Sequence, residues 1–418
     1  MNENKNSGTG AETQTPRRLL HLVNVRTVGG VERIFADFLA HPPPFPAQHF
    51  TVADHGTVAP TLAPAILRHS QIYGINAFSG LPLPRRPRAL RAANRERLIR
   101  KIKPDLILIW NQFIDVRTFS QDRRWPCPAL HYEHGGAWYK QTPALAEALF
   151  RRIDGVIAVS QAARRILQLK YQMTQPVDVC LNALCPGVLS AKGATEPRTL
   201  KNDRPLVLGG AGRLVPVKCF GLLVLTVKAL RARGVDACAV IAGTGSERAT
   251  LEALIAKQGL QGKVRLVGLL DDMSRFYQEI DVYISASMRE PFGLTCIEAA
   301  AWGVPVIAAA IDGLPEAVRD GVTGMCITPT LSHEAYHAMT QAPIDPSPLV
   351  YWPDKDHLAP PKMLDPEILA DAVLRLTGDP DHYRQMSAQA IADVAARGDF
   401  SALCDDLYRV MARYLDRA

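Results

Sequence analysis

Paired cysteines are missing from this chain of 418 residues, and so are long apolar stretches. The eight cysteines form no CxxC pair, and none lies near a histidine at metal-binding spacing. Scattered single cysteines exclude a disulfide framework and indicate reduced thiols in the cytosol. The longest apolar run, 299–311, is interrupted by Gly303 and Pro305 and is too short to span a bilayer. We therefore predict no metal site and no membrane-spanning helix.

Two glycine-rich signatures of nucleotide-dependent enzymes are also absent. No GxGxxG motif connects a predicted strand to a predicted helix with an acidic residue following at ribose-binding distance, which argues against a dinucleotide oxidoreductase. No Walker loop is present either. The first residues, 1–16, are polar and lack the apolar segment of a signal peptide, so we expect a disordered tail there.

Acidic residues are scarce in the first half of the chain. The whole sequence carries a net charge of +7, but residues 1–195 contain 25 Lys and Arg against 13 Asp and Glu. The remaining residues are acidic on balance, with 23 Lys and Arg against 28 Asp and Glu. A basic partner surface is therefore expected in the N-terminal half.

The densest basic stretch, 81–103, holds nine basic residues and one acidic residue. Four residues of this stretch recur at helical spacing and would form one stripe along a helix: Leu90, Asn94, Leu98 and Ile102. Arg91, Arg95 and Arg97 are expected to lie away from that stripe. Such a helix can rest on an anionic membrane, or it can be a solvated helix that packs on its own domain. Few aromatic residues interleave with these charges, which disfavours nucleic-acid binding.

Predicted strands and helices alternate along most of the chain, as in doubly wound α/β domains. A stretch with proline, glycine and few apolar residues, 182–200, predicts a linker, and the strand–helix pattern restarts at about residue 205. We therefore expect a tail at 1–16, an N-terminal domain at 17–195 and a C-terminal domain at 196–385, followed by helices at 386–418. The Pro-rich stretch 328–366 is predicted to be irregular, as a surface insertion or a lid.

The most informative stretch is 289–316, which reads REPFGLTCIEAAAWGVPVIAAAIDGLPE. An apolar strand precedes it, a helix is predicted from about Leu294 to Trp302, and a second apolar run follows, which makes one βαβ unit of a parallel sheet. Glu290 falls in the loop at the carboxyl end of the first strand, and Glu298 falls in the helix. Ligands bind at the carboxyl ends of such strands, and ionised carboxylates accept hydrogen bonds from hydroxyl groups. Both carboxylates can therefore face one sugar-like ligand.

The spacing from Glu290 to Glu298, with GLPE in register at 313–316, resembles the E-x7-E signature of retaining GT-B glycosyltransferases of the family four and group 1 type. This resemblance implies two Rossmann-like domains that face each other across a cleft. It implies that Glu290 holds the donor sugar and acts as a catalytic residue, and that Glu298 holds the ribose. It also implies three further donor-binding residues at the start of the helix: Phe292, Gly293 and Leu294.

A second glycine-rich loop, 209–218, is followed by a helix. Arg213 offers a forked guanidinium and Lys218 a point charge near that helix N-terminus, a combination suited to a diphosphate. The loop resembles the family's G-R-L-x-x-x-K-G element, but Cys219 stands where glycine is usual, a departure that concerns the local geometry. The turn after the next strand begins at Gly243, which is also expected to approach the nucleotide.

Two N-terminal residues are candidates for the opposite wall of the cleft. The family's GG-x-E-R element borders the cleft near the diphosphate and acceptor, which implies a site role for Gly30. The family's His-Gly pair contacts the donor sugar, which implies a catalytic role for His134. A plain βα turn and a structural histidine are the alternatives, and His131 is the other candidate for the histidine position.

The resemblance implies transfer of a hexosyl group, with retention, from a nucleotide-diphosphate sugar to a saccharide or lipid-linked acceptor. The expected donor is a UDP-sugar, the expected process is cell-surface polysaccharide or lipopolysaccharide synthesis, and no metal or other cofactor is expected. We expect a cytoplasmic protein that contacts the inner face of the membrane through 81–103 and binds no nucleic acid. A non-catalytic nucleotide or glycan binder, or a sugar-nucleotide epimerase of the same architecture, remains as an alternative.

Overall fold

The structure, a computed structural model, describes residues 15–53, 56–84, 88–110, 125–139, 143–187, 195–201, 203–343 and 349–417. Most of the predicted tail lies outside the described residues. So do residues 85–87 of the basic stretch, 188–194 of the predicted linker and 344–348 of the Pro-rich stretch.

The N-terminal domain is built on a parallel sheet. Its strands are Arg17–Leu22 (β1), Ala47–Ala53 (β2), Ser70–Gly74 (β3), Ala77–Phe78 (β4), Leu81–Pro82 (β5), Leu106–Trp110 (β6), Ala129–Glu133 (β7), Gly155–Ala158 (β8) and Val177–Val179 (β9). Within the described residues, seven of them form one sheet in the order β3-β2-β1-β6-β7-β8-β9, while β4 and β5 form a separate hairpin. The helices are Gly30–Ala40 (α1), Ala63–His69 (α2), Arg88–Ile102 (α3), Pro143–Phe150 (α4) and Gln161–Tyr171 (α5). Strands β6 and β7 are buried along their whole length, as expected when helices cover both faces.

The C-terminal domain repeats this plan. Its strands are Leu206–Ala211 (β10), Ala237–Ala242 (β11), Val264–Gly268 (β12), Val282–Ser285 (β13), Val306–Ala309 (β14), Gly324–Ile327 (β15), Val350–Trp352 (β16) and His357–Ala359 (β17). Six strands among the described residues form a parallel sheet in the order β12-β11-β10-β13-β14-β15. The helices are Phe220–Ala232 (α6), Arg248–Lys257 (α7), Ser274–Glu279 (α8), Leu294–Ala301 (α9), Leu314–Ala317 (α10), His333–Thr340 (α11), Pro366–Thr377 (α12), Pro380–Arg397 (α13) and Phe400–Leu415 (α14). The predicted fold of two doubly wound domains is confirmed.

The strand order places a topological switch point in each sheet. In the N-terminal sheet the order reverses between β1 and β6, and in the C-terminal sheet it reverses between β10 and β13. Ligands of open parallel sheets bind where the carboxyl ends of such strands diverge. The loops after β1, β10 and β13 are the ones that carry Gly30, Arg213 and Glu290.

The last helix, α14, packs on the N-terminal domain. Its buried face repeats every three or four residues and is formed by Leu403, Leu407, Met411 and Tyr414, among others. The ring of Tyr408 lies 4.9 Å from that of Phe38 in α1, and Arg413 forms an ion pair of 2.6 Å with Asp178 in β9. The chain therefore crosses between the domains a second time near its end.

The described parts of the stretch 328–366, 328–343 and 349–366, contain regular elements, which corrects the expectation from its proline content. They contain α11 and an antiparallel hairpin formed by β16 and β17, in which Val350, Tyr351 and Trp352 are buried. The prolines lie outside these elements, not in their interiors. The hairpin packs against α5 of the N-terminal domain.

The basic helix α3 follows the predicted stripe only in part. Leu98 and Ile102 are buried as expected, but Leu90 is 47% exposed. Arg95, expected away from the stripe, is 3% exposed, so that expectation was wrong. The Asn94 amide, on the predicted stripe, donates to the carbonyl oxygens of Ile75 and Ala77 and so fixes the helix against the segment before it. No helix of the described residues has the length and apolar character needed to cross a bilayer.

Two buried histidines lie side by side in the N-terminal core. His21 Nε2 is 2.9 Å from His49 Nδ1, and the Trp110 indole donates to His21 Nδ1 at 3.2 Å. Burial lowers the pKa of His49 from 6.5 to about 4, and the charge of nearby His69 acts in the same direction. The folded protein therefore holds His49 neutral at pH values where the unfolded chain binds a proton.

This depressed pKa predicts a loss of stability in mild acid. The free energy of unfolding is not reduced by His49 above pH 6.5. It falls as the pH drops from 6.5 to about 4, and the loss amounts to about 3 kcal/mol at the lower end of this window. Urea unfolding across that window measures it. His49→Gln should reduce the pH dependence, with the part due to buried His21, whose pKa is also lowered by burial, remaining. His382→Gln, at an exposed position, should leave it unchanged. Equal pH dependence in wild type and His49→Gln would contradict the assignment.

Candidate active site

Loops from both domains meet where the carboxyl ends of the two sheets face each other. A Cβ atom on Gly30, at the start of α1, would lie 3.5 Å from Leu294 Cδ1 at the start of α9. A Cβ on Gly135 would come within 2.7 Å of Pro291 Cγ, so glycine is required there for the two loops to touch. The structure thus brings the predicted residues of both domains to one cleft.

The predicted catalytic carboxylate and the predicted diphosphate-binding cation contact each other directly. Lys218 Nζ donates to Glu290 Oε2, and both side chains are largely buried. Lys218 ends a short 3-10 turn after β10, and Glu290 follows β13, so the pair bridges the switch point of the C-terminal sheet. Two residues that sequence reasoning assigned to separate groups of the donor therefore form one ion pair.

Glu298 has a partner that sequence reasoning missed. The Tyr277 hydroxyl in α8 donates to Glu298 Oε2 at 2.6 Å. Burial raises the pKa of Glu298, while the Tyr277 hydrogen bond and the charge of Arg33 act in the opposite direction. Arg33 belongs to α1, so a positive charge of the N-terminal domain acts on the pKa of Glu298 from across the cleft. No local signal pointed to Tyr277, which lies 21 residues earlier in an ordinary amphipathic helix.

Arg213 lies on the exposed side of the same cleft. Burial raises the pKa of Glu32 in α1, while backbone N–H groups at Glu32 and Gly29 and the charge of Arg213 lower it. Arg213 is therefore close enough to the GG-x-E-R segment for its charge to matter there. A guanidinium that is exposed in the cleft keeps its donors available for a phosphate.

The glycine-rich loops of the C-terminal domain pack backbone against backbone. Gly243 has a φ of +135°, and a Cβ there would lie 1.8 Å from the Gly212 carbonyl oxygen. A Cβ on Gly245 would lie 2.2 Å from the Leu214 carbonyl oxygen. Close backbone packing therefore requires glycine at 243. This contact lets the turn after β11 support the loop that carries Arg213.

The backbone conformation at Cys219 explains why glycine is usual at this position. Cys219 joins the 3-10 turn of Lys218 to α6 with a φ of +51°, in the left-handed region that costs a residue with a Cβ about 1–2 kcal/mol. The side chain is completely buried, and its thiol donates to the Pro216 carbonyl oxygen. The departure from the family element therefore keeps the loop geometry, with the strain offset by burial.

The three residues at the start of α9 lie in different surroundings. The Phe292 side chain is 3% exposed and belongs to the core. Gly293 begins the helix with a φ of +110°, and Leu294 is partly exposed opposite Gly30. Only backbone atoms of Phe292 and Gly293 can therefore contact a ligand, whereas the Leu294 side chain reaches the cleft.

His134 follows β7 and lies between two aromatic rings. Its imidazole stacks on Trp110 at 5.8 Å and lies 4.0 Å from the Tyr132 ring. Burial lowers the pKa of His134 to about 3, and His131 acts in the same direction. The imidazole is therefore neutral at physiological pH. Its Nε2 atom is buried and has no hydrogen-bond partner among the described residues, so it is suited to binding a ligand hydroxyl.

The other candidate histidine, His131, has a structural partner. Its Nε2 atom is 3.0 Å from Glu133 Oε2, and both side chains are fully buried. Glu133 Oε1 accepts the backbone N–H groups of Gly135 at 2.6 Å and Ala137 at 3.0 Å. Glu133 therefore holds the loop that presents His134. The signal for it was a carboxylate at the end of a buried strand, directly before a His-Gly-Gly turn.

Metal binding has no candidate in the part of the chain that the structure describes. No group of three or more His, Cys, Asp or Glu side chains there is arranged to hold a metal ion. The eight cysteines are free thiols.

Glu133→Gln should loosen the His134 loop. The amide of glutamine keeps one acceptor oxygen, but its NH2 group then faces either a backbone N–H donor or His131. A buried group that loses its hydrogen-bond partner costs about 1–3 kcal/mol. We expect a lower Tm and faster amide exchange at Gly135 and Ala137. Glu147→Gln in α4, whose carboxylate is 59% exposed, is the matched control. Unchanged exchange at both amides would show that Glu133 does not hold the loop.

Comparison with known proteins agrees with this geometry. Residues 28–184 match the model of Glycosyltransferase Family 4, and residues 192–347 match that of Glycosyl transferases group 1. The D-inositol 3-phosphate glycosyltransferase of Mycolicibacterium gilvum is 31% identical over 234 residues, which is 50% of this chain and 51% of the relative. Its counterpart from Salinispora tropica is 30% identical over 237 residues, covering 49% of each chain. The chain thus spans about half the length of the curated relatives it matches.

Solved structures are similar over nearly the whole chain. Anabaena HepE in complex with UDP and glucose has a TM-score of 0.67 at 18% identity, covering 95% of this chain and 99% of that one. Sucrose-phosphate synthase from Thermosynechococcus elongatus has a TM-score of 0.67 at 19% identity, covering 96% and 100%. At these identities the similarity shows the fold alone, which is GT-B. With both domains matched by family models, the chain belongs to the GT-B glycosyltransferases of family 4 and group 1.

Proposed function

We propose that the protein is a retaining hexosyltransferase that uses a nucleotide-diphosphate sugar, with UDP as the nucleotide, and a saccharide or lipid-linked acceptor. The observation that carries this proposal is the Lys218–Glu290 pair beside Glu298 at the switch point of the C-terminal sheet. It places a cation and two carboxylates around one cleft, as a sugar joined to a diphosphate requires. HepE, which shares the fold, was crystallised with UDP and glucose, and this supports the choice of donor.

Donor binding would replace the ion pair with contacts to the ligand. The diphosphate is an anion that can take Lys218 from Glu290, with Arg213 as a second, forked donor. Glu290 is then free to accept hydrogen bonds from sugar hydroxyls, and Glu298 accepts from the ribose. Because Lys218 already lies at the site, its charge needs little reorganisation when the leaving group develops negative charge.

Transfer with retention requires the acceptor oxygen to arrive on the face from which the diphosphate leaves. The bond between the anomeric carbon and the phosphate oxygen breaks, and a bond between that carbon and the acceptor oxygen forms. The acceptor proton passes to the departing phosphate oxygen. Arg213 and Lys218 stabilise that oxygen, while neutral His134 orients the donor sugar through Nε2 and does not act as an acid at neutral pH.

Removing either cation should slow transfer. A charge-assisted hydrogen bond is worth about 1.5–3 kcal/mol, so Arg213→Ala or Lys218→Ala should lower kcat/KM about 10–100-fold. Glu298→Ala should mainly weaken nucleotide binding. Initial rates are measured with EDTA present, and we expect transfer to persist without metal. Thermal shifts are measured with UDP-, GDP-, ADP- and CMP-sugars, and we expect UDP-sugars to stabilise the protein.

Lys263→Ala provides the control for these variants, because Lys263 pairs with Asp236 on the surface of the same domain. Wild-type rates in both Arg213→Ala and Lys218→Ala would contradict the diphosphate assignment. Nucleotide binding without transfer to any acceptor would favour the non-catalytic binder, and conversion of the donor sugar without an acceptor would favour the epimerase.

We propose further that the acceptor is presented at the inner face of the membrane, as in cell-surface polysaccharide or lipopolysaccharide synthesis. Three apolar side chains around the basic helix α3 support this: Phe78 is 48% exposed, Leu81 72% and Leu90 47%. The Arg97 guanidinium lies 4.7 Å from the centre of the Phe78 ring, so charge and apolar surface are adjacent. The burial of Arg95 limits the number of basic groups that can face lipid.

Flotation with vesicles that contain phosphatidylglycerol tests this surface. At low salt the protein should float with the vesicles, because each basic residue near an anionic surface contributes about 1 kcal/mol. Phe78→Ser with Leu81→Ser should reduce the bound fraction severalfold. Leu269→Ser, at a C-terminal leucine that is 75% exposed, is the control. A protein that stays off these vesicles at low salt has no such membrane surface.

A further inference from the structure

The hairpin of β16 and β17 connects the two domains at its turn. Arg165 in α5 donates from Nε and Nη2 to the two carboxylate oxygens of Asp356, each at 2.7 Å. The Tyr351 hydroxyl donates to the same carboxylate at 2.8 Å. A segment of the C-terminal domain thus holds a helix of the N-terminal domain by a bidentate ion pair.

The base of the hairpin is joined to the loop of Glu290. Asp312 is completely buried, and its Oδ1 accepts the Tyr351 N–H at 2.7 Å while its own N–H donates to the Tyr351 carbonyl oxygen at 2.9 Å. Asp312 Oδ2 accepts the Glu290 N–H at 3.1 Å, and the Gly313 N–H donates to the Glu290 carbonyl oxygen at 3.0 Å. One carboxylate therefore connects the hairpin to the backbone of the predicted catalytic residue.

Helix α5 is joined in turn to the loop of His134. Lys170, in its last turn, donates to the carbonyl oxygens of Ala137 at 2.7 Å and Tyr139 at 2.9 Å. At the other end of the helix, the Glu316 carboxylate accepts the N–H groups of Gln161 and Ala162 at 2.7 and 2.8 Å. The helix that Asp356 holds is thus the helix that supports the opposite wall of the cleft.

We propose that residues 350–359 form an interdomain strap and that Asp312 is a positioning residue, through which the strap sets Glu290 against the His134 loop. The significance of Glu290 in this proposal rests on the proposed function, because Glu290 bears on transfer only if the donor sugar binds beside it. The connection itself is a property of the fold and can be measured without a substrate.

The two ends of the strap differ in strength. Asp312 makes its hydrogen bonds with no exposure to solvent, whereas the Asp356 side chain is 56% exposed and that of Arg165 is 30% exposed. Exposed ion pairs are weak because water screens them, while a buried carboxylate that loses a donor leaves an unsatisfied group. The base of the strap is therefore its stronger connection, and the ion pair at its turn is the weaker one.

Hydrogen exchange of the full-length, ligand-free protein tests the strap. Asp312→Ala, which removes both acceptor oxygens, should speed exchange at the Glu290 amide about tenfold. Asp312→Asn should do so at either the Glu290 or the Tyr351 amide, because it keeps only one of the two acceptors. Asp356→Ala should speed exchange in the first turn of α5 about two- to fivefold, since an exposed pair is weaker. If the Asp312 variants fail to fold, Asp356→Ala with Arg165→Ala still tests the connection, and the double variant should exchange no faster than either single one.

Asp371→Ala is the matched control. Asp371 is 69% exposed and pairs with Arg233 within the C-terminal domain, so its loss should leave exchange at Glu290 and in α5 unchanged. Unchanged exchange at both places in Asp312→Ala and Asp356→Ala would overturn the strap, whatever the enzyme does. An equal rise in Asp371→Ala would overturn it as well, because the effect would then be general loosening.

Transfer kinetics separate positioning from nucleotide binding. Asp356→Ala should lower kcat several-fold while leaving the Kd for UDP within about twofold, because Arg213, Lys218 and Glu298 are untouched. The charge exchange of Arg165→Asp with Asp356→Arg should restore part of kcat. A wild-type enzyme that transfers no sugar would refute the proposed function but leave the exchange result standing. Faster exchange with wild-type kcat would overturn the positioning role.

Discussion

The carboxylate of Glu316, in the C-terminal domain, accepts two backbone N–H groups in the first turn of α5, in the N-terminal domain, and so joins the two domains directly. A helix N-terminus attracts negative charge, and here the charge comes from the other domain. Arg397 donates to the Glu316 carbonyl oxygen at 2.6 Å and holds the turn in place. Because Glu316 lies three residues after Gly313, one short stretch, 312–316, contacts both the backbone of Glu290 and the N-terminus of α5.

The carboxylates near the cleft differ in what holds them, and the difference separates support from ligand binding. Glu133 and Asp312 accept backbone N–H groups, and Glu298 accepts from Tyr277. Neutral donors fix a carboxylate without involving a second charge. Glu290 is paired with Lys218, a cation that a diphosphate can also bind. Of these carboxylates, Glu290 is therefore the one whose partner is expected to change when a donor arrives.

Local patterns were sufficient for the C-terminal βαβ unit, because the strand, helix and turn from 281 to 316 each carry their own periodicity and punctuation. They failed for 328–366, where proline suggested irregular chain and tertiary packing against α5 makes a hairpin. They failed for Arg95 as well, because helical spacing places it away from the stripe and the tertiary structure nevertheless buries it.

The sequence by itself determined the two α/β domains, the glycine turns and the positions of Glu290, Glu298, Arg213 and Lys218 along the chain, since these follow from local spacing. Only the tertiary structure decided which of those groups touch. The Lys218–Glu290 pair joins residues 72 positions apart, and Arg165 meets Asp356 across 191 positions. Such contacts depend on how sheets twist and on how two domains dock, and neither leaves a periodic trace in the residues concerned. That is the physical reason why the sequence could predict candidate site residues but not the contacts that support them.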